Sequence, residues 1–441
     1  MRYDAAIIGG GANGLTAAAV LTRAGLKVLV IERAARPGGR LVTDEFHPGF
    51  AASPFADRLP AIPAEVTAAL DLAVPLQTES PPHDICQRRD GALARIFAEA
   101  KVPYRHGLLA RLRRALMPPL PGPAWPGQDL AARALADWPG LQAWALLGRV
   151  TDPALLGSAL SLLALAGAAP LRGGLGAVGE AFIAAAASAP FRLGLEASEV
   201  VVESGRWGRR AAGVLLADGS RVAADAVIST LDLKRSILAL FDWASLPPAM
   251  TTSAAHFRMG GGTARLLLAL KRPSGLTAPL LLPADGEARA AFRRGAVPHQ
   301  PSLLIDPVSV RDASMAPAGG AVLTVTMAGI PARLFDGAWT REKRAHLAAA
   351  ALRRLGTALP GTLAALDGIH VIVPPDIEAR LGASEGDLDG GQLFPDQMLA
   401  QRPGARTPLA GFYLGGASTA AGPLGTGAAG YAAALSLLAD R

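Results

Sequence analysis

The chain has 441 residues, more than one small core needs, so two domains or one interrupted domain are expected. Hydrophobic residues make up 51% and charged ones 18%, which excludes a disordered chain and points to a large apolar interior or an apolar pocket. The net charge of +7 is carried mostly by arginines scattered along the chain, with no basic arm, zinc pattern or aromatic-rich RNA motif, so nucleic acid is not expected as a partner. Cys86 is the single cysteine, which excludes an intrachain disulfide or redox-active pair and fits a reducing, cytoplasmic location.

The first element begins almost at once, and no export signal is expected ahead of it. "AAIIGGGANGLTAAAVLTRAGLKVLVIER" predicts a strand at Ala5 to Ile8, a turn over Gly9 to Gly14, a helix from Leu15 to Ala24 ended by Gly25, and a buried strand at Val28 to Ile31. Between strand and helix the glycines fall as Gly9-x-Gly11-x-x-Gly14, with Ala12 and Asn13 inside the pattern. Gly9 allows the tight turn, Gly11 lets a pyrophosphate approach the backbone, and Gly14 lets helix and strand pack closely. Unpaired N–H groups and the dipole at the helix start then favour the negative charge. Glu32 closes the second strand, where a carboxylate can accept hydrogen bonds from both ribose hydroxyls, and Arg33 follows it.

The continuation "ERAARPGGR" separates the dinucleotides. A second glycine pair with an arginine, Gly38, Gly39 and Arg40, gives charge-assisted contacts to a diphosphate and points to FAD as the cofactor.

Farther on, Leu171 to Ala187 reads as a glycine-rich entry into an apolar helix. Strands follow at Ser198 to Glu203, Ala212 to Leu216, Arg221 to Ala223 and Ala226 to Ser229, with a hairpin at Asp218-Gly219. A strand set returning to a dinucleotide fold would present the backbone of Val200 or Val201 to the adenine. The flanking stretches hold no recognisable catalytic signature. Pro153 to Leu171 is uncharged and long enough to imitate a membrane span, but its small residues and bounding prolines predict a buried helix. Tyr104 to Trp125 alternates arginines with leucines, a pattern that suits either core packing or peripheral contact with an anionic membrane. The expected organisation is FAD-binding parts at 1–58, 171–249 and 390–441, interleaved with substrate-domain parts at 59–170 and 250–389.

Three segments carry a resemblance: "YDAAIIGGGANGLTAAAVLTRAGLKVLVIERAARPGGR" with its "PGF" at Pro48 to Phe50, "LRGGLGAVGEAF" with "LADGSRVAADAVISTLDLKRSIL", and the "RTPLAGFYLGG" run with the glycines after it. Together they resemble the phytoene-desaturase-related FAD oxidoreductases of the amine-oxidase superfamily. The resemblance implies an α/β fold, a Rossmann-like FAD domain of the glutathione-reductase type interleaved with an α+β substrate domain. It implies cofactor contacts from Gly9, Gly11 and Gly14, from Glu32, from Gly38 to Arg40, from Val200, and from Gly415, Gly416, Gly425, Thr426 and Gly427 beside the isoalloxazine. Many relatives carry a histidine near "GGQLFPDQM" and an acid after the glycine matching Gly416; this chain carries neither.

The implied chemistry is hydride transfer from a lipophilic, isoprenoid- or carotenoid-like substrate to flavin N5. A flavin-dependent amine oxidase and a flavin-bound isomerase or non-redox assembly protein are the alternatives. No catalytic residue is assigned; His47, His256 and Glu385 are the faint candidates for an acid or base. The substrate, the electron acceptor and the oligomeric state are not readable from the chain.

Overall fold

In the computed structural model, residues 2–59, 62–72, 173–205, 208–259, 262–282, 284, 286–391, 397, 402–421 and 426–441 are described. The first sheet starts from β1 (Arg2–Ile8), whose C-terminal half is fully buried. Helix α1 (Ala12–Arg23) follows, and β2 (Val28–Glu32) returns parallel to β1, pairing Ala5 with Val28 and Ile8 with Ile31. The helix starts one turn earlier than its apolar pattern suggested, because Ala12, Asn13 and Gly14 are all buried and helical.

After β3 (Asp44–His47), β4 (Phe50–Ala52), α2 (Ala64–Leu70) and α3 (Gly174–Ala185), the chain re-enters the first sheet. There β5 (Phe191–Leu193) pairs parallel with β2, and β6 (Ala197–Gly205), β7 (Gly208–Leu216) and β8 (Arg221–Ser229) form an antiparallel meander. The two short strands expected between Arg221 and Ser229 are one continuous strand, which pairs parallel with β1 along Arg2 to Ile8. Helix α4 (Pro248–His256) then leads into the second sheet, built from β9 (Thr263–Leu270), β10 (Leu280–Leu282), β11 (Leu303–Asp306), β12 (Ala321–Ala328) and β13 (Leu366–Ile372). Helices α5 (Arg341–Ala358) and α6 (Pro374–Leu381) belong to the same half. At the end β14 (Phe412–Leu414) completes the first sheet beside the C-terminal half of β8, and α7 (Ala428–Ala439) follows.

The first sheet has seven strands in the order β5-β2-β1-β8-β7-β6, with β14 also on β8. One face is covered by α1, α3 and α7 through Leu15, Leu21, Val178, Phe182, Ala433 and Leu437. The opposite face packs Val200, Val214, Ile237, Phe241 and Phe412, with Phe241 and Phe412 edge to face at 4.9 Å. The second sheet has five antiparallel strands in the order β10-β11-β12-β9-β13. Leu266, Leu268, Leu323 and Val325 face α5 on one side, while Leu267, Ala269 and Val322 face Phe50, Phe55 and Ile377 on the other. Each sheet thus buries alternate residues of its strands against a covering layer, the two-layer solution expected for α/β and α+β parts.

The stretch Tyr104 to Trp125, a candidate for membrane contact, and the span-like stretch Pro153 to Leu171 lie outside the described residues. Among the described residues no helix is long and apolar enough to cross a membrane.

Candidate functional site

The ends of β1, β2 and β8 open onto a cleft of 390 Å³, within the range of small-molecule and cofactor sites. Its floor is the turn from Ile8 to Asn13. Helix α1 carries no side-chain cap at Gly11, so its first N–H groups are left for a ligand. Gly9 has φ +99°, and a Cβ there would overlap the Thr230 hydroxyl, which donates to Ile8 O at 2.8 Å. A Cβ on Gly14 would overlap Gly9 O, so this glycine brings helix and strand together from behind the cleft.

The second glycine pair closes over the first. Gly38 N–H donates to Gly10 O at 2.8 Å, Gly11 and Gly38 form an isolated parallel bridge, and a Cβ on Gly39 would come within 3.0 Å of Gly11 Cα. Gly38 and Gly39 have φ of +121° and +59°, so this interlock needs glycine on the side of the second pair.

Glu32 lies at the rim with its carboxylate already oriented. Oε2 accepts from Gly10 N–H at 2.6 Å and Oε1 accepts from Ala34 N–H at 2.8 Å. Each oxygen keeps a further lone pair for a ligand hydroxyl. Arg33 and Arg40 also line the cleft, but both reach across it to the chain entering from the second sheet. Arg33 donates to Glu378 O and Ala379 O, and Arg40 donates to Leu388 O at 2.9 Å.

The far wall consists of residues that the sequence reading did not single out. Asp232 accepts from Ser384 N–H at 2.9 Å, from the Ser384 hydroxyl at 3.0 Å and from Arg235 N–H at 3.1 Å. Gly382, Ala383, Leu388, Gly390 and Ala417 complete it. The density of small residues in "GASEGDLDGG", Gly382 to Gly391, was the one sequence signal for this wall.

The structure corrects the placement of Val200. Its side chain is 1% exposed in the apolar layer beneath the sheet, and its N–H donates to Leu240 O at 2.8 Å. A register shift between Ala197 and Glu199 offsets the strand, so that Glu196 and Ala197 reach the cleft instead. Gly415 and Gly416 stand one step behind the wall. Gly415 N–H donates to Ser229 O at 2.8 Å, a Cβ on Gly416 would overlap Leu231 O, and Ala417 is the residue that meets the cleft. Thr426 is buried, Gly427 is the uncapped N-cap of α7 at φ +83°, and Gly425 lies outside the described residues. A Cβ on Gly427 would overlap the Thr16 hydroxyl and one on Gly430 would overlap Asn13 O, so α7 begins against the first turns of α1.

None of the three faint acid or base candidates is part of the cleft lining. His47 Nε2 lies 3.3 Å from Asp367 Oδ2, binding the β3–β4 hairpin to β13. His256 Nδ1 is 2.9 Å from Thr252 O on an exposed helix end. Glu385 sits at φ +59° and accepts from Lys234 Nζ at 3.5 Å. No group of three or more metal-ligating side chains is found among the described residues.

These features fit a dinucleotide. An uncapped helix start faces a glycine cradle that side chains would fill, an acid is oriented at the rim, and Asn13 Oδ1 is buried without a partner among the described residues. Comparison with known proteins agrees. Residues 7–57 match the model of the NAD(P)-binding Rossmann-like domain, and residues 141–433, well over half of the chain, match that of the flavin containing amine oxidoreductases. The rat pyridine nucleotide-disulfide oxidoreductase domain-containing protein 2 is 25% identical, across 98% of this chain and 93% of that protein. A limonene dehydrogenase subunit of Castellaniella defragrans is 60% identical over 45 residues, 10% of this chain and 8% of that one. Among solved structures, an oxidoreductase from Methanosarcina mazei superposes with a TM-score of 0.62 at 19% identity and full coverage of both chains, a likeness of fold. An interleaved Rossmann-like sheet with its paired glycine loops, and a family match across most of the chain, lead to one conclusion: this protein belongs to the flavin-containing amine oxidoreductases and is an FAD-dependent oxidoreductase.

Proposed function

We propose that the chain oxidises a lipophilic, isoprenoid-like substrate at a C–H bond. The observation that supports this most is the chemistry of the C-terminal run that meets the cleft at Ala417. From Phe412 to Ala421 and from Thr426 to Leu438 the only titratable side chains are the phenols of Tyr413 and Tyr431, and none of the three acid or base candidates lines the cleft. Forming a C=C bond takes a hydride from one carbon to the flavin and a proton from the neighbouring carbon to water, so such a substrate needs placement against the cofactor more than it needs a side-chain proton acceptor. When bound, FAD supplies the hydride acceptor at N5. The proposed work of the chain is to bind and orient it. Gly9, Gly11, Gly38 and Gly39 form the cradle for the diphosphate, Gly14 holds helix to strand behind it, and Glu32 takes the ribose hydroxyls.

A second reading, oxidation of an amine, is favoured by the description of the matching family itself. Anaerobic titration of the FAD-loaded protein separates the two, read as bleaching of the flavin absorbance. Bleaching by isoprenoid-rich lipid extracts and not by a panel of primary and secondary amines is the expected result. Bleaching by amines alone would overturn the proposal.

A further inference from the structure

We propose that His299 and His346 chelate one divalent transition-metal ion of the zinc class, at a site on the helical layer of the second sheet. Neither histidine lines the cofactor cleft, so the site is separate from the flavin chemistry.

His346 lies on the exposed side of α5, and His299 lies in the loop that follows the helix Gly286–Arg294. The loop is anchored before and after the histidine. Val297 packs on the apolar layer between α5 and the second sheet, and Pro298 is buried. Farther along α5, Arg354 donates to Gln300 O at 3.4 Å and to Pro301 O. Glu287 Oε2 accepts from the N–H of His299 itself at 3.3 Å. Two histidines 47 residues apart in the chain are thus brought together by backbone that is held on both sides.

Their geometry suits a shared ion. His346 Nε2 and His299 Nδ1 are 3.3 Å apart, the ring centroids are 5.3 Å apart, and the ring planes cross at 77°. Two imidazoles on one tetrahedral zinc, with Zn–N bonds of about 2.0–2.1 Å, place their nitrogens about 3.3 Å and their ring centres about 5.2 Å apart. A straight N–H···N hydrogen bond of the same length would set the ring centres about 5.6 Å apart, because both ring radii then add to it in line. The rings are bent toward a common point instead. Coordination uses the lone pairs of these two nitrogens and leaves the ring protons on the other two, so neutral histidines lose no proton on binding. No third histidine, cysteine, aspartate or glutamate among the described residues completes the set. Water takes the remaining positions, and two protein ligands in place of the four of a closed structural site make the ion exchangeable. When bound, it ties the His299 loop to α5.

The test is isothermal titration calorimetry of the chelator-treated full chain with Zn²⁺ near neutral pH. One ion should bind per chain, and the melting temperature should rise with it. His299→Gln and His346→Gln should each weaken binding by about tenfold or more, while His256→Gln, at another exposed histidine, leaves it as in the wild type. The inference is overturned if the wild-type protein shows no saturable uptake of Zn²⁺, or if either H299Q or H346Q binds it as tightly as the wild type. Should a variant not fold, the wild-type protein labelled with ¹⁵N-histidine decides alone. Among its seven histidines Zn²⁺ should move the ring nitrogen signals of His299 and His346 together, and unmoved signals of either one would overturn the inference.

Discussion

Glu32 shows at the scale of one residue what the sequence could and could not disclose. That an acid ends β2, in register to meet a ribose, follows from spacing alone. That both of its oxygens are engaged by Gly10 and Ala34 N–H groups does not, because it depends on how the loop returns after the strand. The engagement makes a conservative change costly. Glu32→Gln keeps one acceptor oxygen but sets an NH₂ group against a backbone N–H, leaving a part-buried donor unsatisfied at a cost of about 1–3 kcal/mol. The amide also gives up the charge and one of the acceptor oxygens offered to the ribose hydroxyls, worth about 1–3 kcal/mol in the bound state only, so FAD affinity, measured by quenching of flavin fluorescence on titration, should fall roughly 5- to 150-fold. An unchanged affinity would mean that the carboxylate does not meet the cofactor. Val200 marks the opposite outcome. Its apolar run and its place in the chain suited a cofactor-facing strand, but the register shift at Ala197 to Glu199 turns it into the apolar layer, and nothing in the local sequence announces a bulge.

Among the elements, those bounded by glycine and marked by continuous burial were legible, as β1 and β2 show. The second sheet hides more. "ARLLLAL", Ala264 to Leu270, is apolar apart from its second residue, yet that residue, Arg265, is 2% exposed, and its guanidinium meets Asp57 at 2.6 Å and the Thr326 hydroxyl at 2.7 Å. A second buried group joins Asp306 to Arg58 and Arg311. Partners some 200 residues apart cannot be matched from sequence without knowing which strand they cover. Removing one of them is expected to be severe, because the other charge stays buried. Asp57→Ala should lower unfolding free energy by about 3–5 kcal/mol. Asp225→Ala breaks a half-exposed pair with Arg2 and should shift it by about 1 kcal/mol or less. Urea denaturation of the two variants side by side measures the contrast, and equal losses would show that the Asp57 pair is solvated.

The joint between β14 and α7 adds a pH signature to the element scale. Burial pushes the Tyr413 phenol up to about 12, and its hydrogen bond to Asp440 at 3.0 Å adds to that rise. Arg406 holds the Asp440 carboxyl below the usual range, with Tyr413 adding to the effect. For a group whose native value is raised, the stabilisation is whole below the unfolded value near pH 10 and is lost as pH rises through about 12. The difference in urea midpoint between the wild-type protein and Tyr413→Phe should therefore shrink across that interval. A difference that stays constant from pH 8 to pH 12 would place the phenol in water.

On the scale of the whole molecule, the two sheets meet the cleft by different routes, and the crossings between them explain why cofactor and fold depend on each other. The stretch leaving α6 runs along the far wall and is held from the first sheet's side by Asp44 on Arg380 at 2.6 Å, by Lys234 on Glu385, by Asp232 on Ser384 and by Arg40 on Leu388 O. Asp232 on Ser384 is buried and the other bonds are polar and partly exposed, while Ala383 and Leu388 pack on the apolar layer of the second sheet, so the hold on the segment from Gly382 to Gly391 depends in good part on polar bonds that local opening can break. A ligand that bridges the glycine cradle and this segment adds the missing bond between them. At a free FAD concentration of about 100 times the dissociation constant, linkage gives roughly 2.7 kcal/mol of added stability. Removal of FAD should then lower the melting temperature and open the segment first. Limited digestion of the cofactor-free and FAD-loaded protein, followed by mass spectrometry of the fragments, should find new early cuts between Gly382 and Gly391 only when FAD is absent. Cuts at the same sites and rates in both forms would show that the cofactor does not span the cleft from one wall to the other.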